Sequence, residues 1–142
     1  MVRKWHFLLA NPLTDNQRHS LHERLMAFLS QWKSHGRPIQ ASISFPFNHI
    51  IEIVADSPVS GCAIDELFRH IHQAVKDEGL TLLPTEFVLV FLDGNIFSEN
   101  FYEIIKKYKS GNWPSAARVV DIGPEGVKLV SVENSRIAIH LR

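Results

Sequence analysis

The one cysteine of the chain, Cys62, follows Ser60 and Gly61 and precedes the apolar-periodic run that begins at Ala63. A thiol at the start of a helix sits among unpaired backbone amides at the positive end of the helix dipole. That setting favours the thiolate, the form of cysteine that acts as a nucleophile. Ser60 and Gly61 let the backbone approach a ligand closely, so the same place could hold an anion. A cysteine nucleophile works with a base, and His35, His49 and Asp56 are the candidates. The catalytic reading therefore names Cys62, His35 and Asp56, and the ligand-binding reading names Ser60, Gly61 and Asp65. The structural reading of the same residues is simpler. Cys62 would be a small buried hydrophobe, Ser60 a helix cap, Asp65 a first-turn carboxylate that complements the dipole and Asp56 a turn residue.

Eight histidines raise the question of a metal. His19 with His22 or Glu23 has helical spacing, but no third ligand stands at a recognisable distance and no H-E-x-x-H string occurs, so neither a metal nor any other cofactor is assigned. Lys106, Lys107 and Lys109 with Trp113 could meet nucleic acid. They read more simply as a solvated helix end, and a formal net charge of zero supplies no general attraction to polyanions.

A chain of 142 residues with 45% hydrophobic and 21% charged residues matches one domain with one substantial core. No apolar run approaches the roughly 18 residues of a membrane span, and the short apolar stretch before Asn11-Pro12 reads as a strand rather than a leader. A single cysteine forms no internal disulfide, and the cytoplasm is the expected compartment.

The elements that must position these residues follow from periodicity. Trp5 to Ala10 reads as a strand. Thr14 and Gln17 have capping-box spacing ahead of a helix whose stripe is Leu21, Leu25, Phe28, Leu29 and Trp32, with Gly36 as its end and Pro38 beyond. Ile39 to Phe45 alternates and pairs as a hairpin with the run from His49 to Ala55, which is apolar except for Glu52. A second helix spans about 63–78, and 86–94 is a strand apolar on both faces. The order strand, helix, strand, strand, helix, strand predicts an α+β fold, a ferredoxin-like βαββαβ antiparallel sheet over residues 1–94. Residues 95–142 form an extension of the same single domain, with a helix capped by Ser98 and three short strands at 118–122, 127–133 and 136–141.

Trp32-Lys33-Ser34-His35-Gly36, Asp56 and Ser60-Gly61-Cys62-Ala63-Ile64-Asp65 together resemble a family of small bacterial proteins of unassigned function often labelled ABC transporter ATPases. The resemblance covers residues 25–75. The family usually has serine where this chain has Ala63, so it implies no hydroxyl at that position. The label implies a phosphate loop of the form G-x-x-x-x-G-K-[ST], and no such string occurs in the chain. The function expected is thus a non-enzymatic module acting through self-association, as a homodimer, or through a protein partner. The alternatives are a small thiol-dependent enzyme or anion-binding protein at Ser60-Gly61-Cys62, and a nucleic-acid binder presenting Trp5, Phe7 or Phe45 from its sheet.

Overall fold

The computed structural model describes residues 2–142, which are mixed α+β with three α-helices and antiparallel sheets. The chain divides into two compact units, residues 1–83 and 84–142. Among the described residues no helix is long and apolar enough to cross a membrane.

In the first unit, β1 (Arg3–Leu8), β4 (Ala41–Ser44) and β5 (Ile50–Ala55) form a three-stranded sheet in the order β1-β5-β4. Its register places Trp5 and Ile43 on either side of Ile53, and His6 and Ser44 on either side of Glu52. Successive strand residues point to opposite faces. Phe7, Ile43, Ile51, Ile53 and Ala55 accordingly enter one core with Leu21, Leu25 and Leu29 of α1 (Asp15–Leu29) and Leu67, Ile71 and Ala74 of α2 (Gly61–Asp77). Both helices lie on that face. The expected capping box is present: Thr14 Oγ1 accepts from the Gln17 amide at 3.1 Å, and Gln17 Oε1 accepts from the Thr14 amide at 3.0 Å.

The first helix does not run to Gly36. It stops at Leu29, and residues 33–38 form a small hairpin, β2 (Lys33–Ser34) with β3 (Arg37–Pro38). His35 and Gly36 both have positive φ, +52° and +78°, as a two-residue primed turn requires. Trp32 remains in the core, 1% exposed, but from beyond the helix.

The expected fourth strand is also displaced. Leu82 bridges Leu9 in antiparallel sense, with Leu83 N–H donating to Leu8 O at 2.8 Å and Ala10 N–H donating to Thr81 O at 2.9 Å. The edge of β1 not paired with β5 is thus met by residues 81–83. The apolar run expected there is instead β6 (Phe87–Leu92) of the second unit. There it pairs on both sides in a four-stranded sheet, β7-β6-β8-β9, with β7 (Asn95–Asn100), β8 (Arg118–Gly123) and β9 (Gly126–Val130).

Two further expectations change in this unit. Ser98 lies in β7 opposite Leu89, and Asn100 caps α3 (Phe101–Lys109) by accepting from the Tyr102 amide. The last segment is a 3-10 helix, Arg136–His140, in place of a strand, because Ser135 Oγ accepts from the Ile137 amide and starts a turn. Val90, Ile104, Ala117, Val119, Val132 and Ile137 form the buried core of the second unit.

Candidate functional site

The segments Trp32–Gly36 and Ser60–Asp65 are joined directly. The indole Nε1–H of Trp32 donates to Ala63 O at 3.0 Å, and the Ser60 amide donates to Ser34 Oγ at 2.9 Å. Ser60 Oγ in turn caps α2 by accepting from the Ala63 amide at 3.2 Å. The loop before it is tied to Gln40, between the hairpin and β4: Asp56 N–H donates to Gln40 O at 2.8 Å, and Gln40 N–H donates to Ser57 Oγ at 3.0 Å. The hairpin and the loop leading into α2 are therefore one construction, fixed by four side-chain groups and the backbone.

Between them lies a cleft of about 590 Å³ lined by Ser34, His35, Arg37, Pro38, Ser57 and Pro58. Its chemistry is one-sided. Ser34 and Ser57 each accept a backbone N–H, which leaves the hydroxyl hydrogen available for donation. The side chains of Arg37 and His35 are exposed and make no hydrogen bond or ion pair among the described residues. No carboxylate lines the cleft. A cavity with donors and a fixed positive charge but without a carboxylate suits an oxyanion.

Compared with known proteins, the chain matches no family model, no curated protein and no solved structure.

Cys62 is the second residue of α2 and is exposed, so it is not a buried hydrophobe. Its sulfur hydrogen-bonds to neither His35 nor any other described residue, and it does not line the cleft. His35 lies at the hairpin tip and lines the cleft. Asp56 stands exposed at the end of β5. His49 is held elsewhere. It precedes the opposite end of β5, is 2% exposed, and donates from Nδ1 to Leu9 O at 3.1 Å, so it is a satisfied core histidine. Because α2 begins at Gly61, Asp65 falls in the second turn rather than the first, where a carboxylate would have complemented the dipole. Gly61 has open space where a Cβ would sit, so no close backbone approach demands a glycine there.

The sequence reading missed Ser34, Arg37 and Ser57 as lining residues. The His35-Gly36 pair followed by Arg37, a turn signal between two short runs, could have pointed to them. It also missed a second polar group on the sheet face opposite the helices, where Glu52 Oε2 lies 2.8 Å from His6 Nε2 and Glu52 Oε1 accepts from Ser44 Oγ at 3.1 Å. Burial pushes the Glu52 pKa up. The hydrogen bonds from His6 and Ser44, with the charges of His6 and Lys4, outweigh burial and hold it below 4.5. The sheet aromatics do not form an exposed platform. Phe7 is buried, and Trp5 and Phe45 are half-buried against the helix-covered core, Trp5 meeting Trp32 edge-on at 5.9 Å. Among the described residues no three His, Cys, Asp or Glu side chains group as metal ligands.

Proposed function

We propose that the first unit is a non-catalytic recognition module whose hairpin cleft takes an oxyanion, a carboxylate or a phosphate. The observation that carries this reading is the lining: Arg37, His35 and two hydroxyls around one cleft with no carboxylate among them. A non-catalytic role is supported by Cys62, whose exposed thiol makes no hydrogen bond among the described residues. The two segments that carry the resemblance to the small bacterial family meet in space, Trp32 and Ser34 of one bonding Ala63 and Ser60 of the other. We also propose that the unit is a reduced ferredoxin-like arrangement. With the Leu82 bridge counted at the edge of β1, its strand order runs fourth, first, third, second, and the fourth strand has shrunk to a bridge.

The test is an amide NMR titration of the full chain with inorganic phosphate and, separately, with acetate. Saturable shifts confined to residues 34–38 and 57–60, lost in Arg37→Ala, are expected with at least one of the two. Shifts spread over the surface, or unchanged in Arg37→Ala, would overturn the reading.

A further inference from the structure

We infer that the furrow along the outer surfaces of α1 and α2 docks an acidic amphipathic helix of a partner protein. Two clefts, of about 580 and 490 Å³, have Arg24 and His70 in common and so run into each other. Their walls come from two packed helices. A furrow of that kind is the shape a third helix fills.

The charges select the partner. Arg69, His72 and Lys76 recur at i, i+3 and i+7 on α2, one stripe whose ends lie about 10 Å apart at 1.5 Å per residue. Arg69 and Lys76 make no ion pair among the described residues and supply the cations, while His72 donates from Nδ1 to Phe68 O at 2.7 Å, which leaves Nε2 of the neutral ring an acceptor. Carboxylates seven residues apart on a facing helix repeat the same distance. The apolar part of the surface is held in place from beneath. Phe68 is 39% exposed and braced edge-on against Phe7 at 5.3 Å, and His70 stacks on Phe28 at 4.1 Å. An aliphatic residue between the partner's carboxylates would cover these rings.

A nucleic acid fits the same surface poorly. Glu66 lines the second cleft, and Arg24 is already paired with Asp77 at 2.6 Å, so a continuous phosphate chain would meet carboxylate as well as cation. Discrete, spaced carboxylates avoid that conflict.

The probe is a fluorescein-labelled helical peptide of about fourteen residues, with glutamates seven apart and a leucine between them, measured by anisotropy against the full chain at low salt. A scrambled peptide of the same composition and an oligothymidylate are the comparisons. The helical peptide should bind about tenfold more tightly than the scrambled one and should lose about tenfold in Arg69→Glu/Lys76→Glu, two exposed positions whose change leaves the core intact. Unchanged affinity in that variant, equal binding of the scrambled peptide, or tighter binding of the oligonucleotide would each overturn the inference. Arg37→Ala should leave the peptide affinity unchanged, which keeps this test separate from the hairpin cleft.

Discussion

Two polar groups in the first unit differ in how completely the protein satisfies them. On the sheet face, Ser44, Glu52 and His6 form a row across β4, β5 and β1 in which Glu52 answers both neighbours. At the hairpin, Ser34 and Ser57 use only their acceptor capacity, while the side chains of Arg37 and His35 make no bond among the described residues. The first arrangement binds strands together. The second leaves hydroxyl donors and positive charge lining a cleft, capacity that a structural network would use up.

The largest effect is expected where the hairpin is anchored. Trp32 is 1% exposed, meets Trp5 and Phe28, and bonds Ala63. Trp32→Ala removes a large buried side chain and leaves a cavity, at a cost of about 3–5 kcal/mol. Denaturant unfolding should show the first unit strongly destabilised. Trp32→Phe, which keeps most of the volume but loses the indole donor, should cost much less. Equal losses in the two variants would mean that the hydrogen bond, rather than packing, anchors the hairpin.

Acid should act on the sheet-face row. The pKa of Glu52 is lower in the folded protein than its ordinary value, so the folded state binds fewer protons there than the unfolded state. The resulting stability is fully present above about pH 4.5 and is lost as pH falls through the depressed value. Glu52→Ala should lower stability by about 2 kcal/mol at neutral pH, the scale of a hydrogen-bonded charge, and should flatten the fall in melting temperature between about pH 5 and 3. An unchanged acid limb would assign acid sensitivity to other carboxylates.

How much of this was legible beforehand depends on whether the signal is local. Thr14 with Gln17, and Leu21, Leu25 and Leu29, lie within one helix and read directly. The pairing of 41–44 with 50–55 follows from alternation and a short connection. Gly36 did not read correctly, because a left-handed glycine ends a helix as readily as it completes a primed hairpin turn, and Pro38 agrees with both. Hydrophobicity alone places the fourth strand at 86–94. Thr81, Leu82 and Leu83 reach the edge of β1 instead, through a bridge whose partner, Leu9, lies more than seventy residues away. In the second unit Asp93-Gly94 is a hairpin turn that leads into polar Asn95–Asn100, a strand without alternation to announce it. At the site, Cys62 and Ser60 were visible as a helix start. Arg37 and Ser57 belong to it only through pairings across the fold.

A smaller loss should separate the hairpin's attachment from its packing. Ser34→Ala leaves the Ser60 amide without its acceptor, and such a group in a half-buried position costs about 1–2 kcal/mol. The more telling readout is anion binding. Ser34→Ala should weaken it because the wall carrying Arg37 is no longer held against the loop before α2. Binding unaffected by this change would place the ligand away from the hairpin.

The smallest effect is expected at Cys62. Cys62 is exposed, forms no hydrogen bond among the described residues and stands outside the cleft lining. Serine differs little from cysteine in helix propensity, so Cys62→Ser should change stability by less than about 0.5 kcal/mol. It should also leave the phosphate or acetate titration as it is in the unaltered chain. Abolished binding with unchanged stability would move the ligand from the Arg37 side of the junction to the first turn of α2, and a thiol-centred function would then account for the site better than recognition by the hairpin.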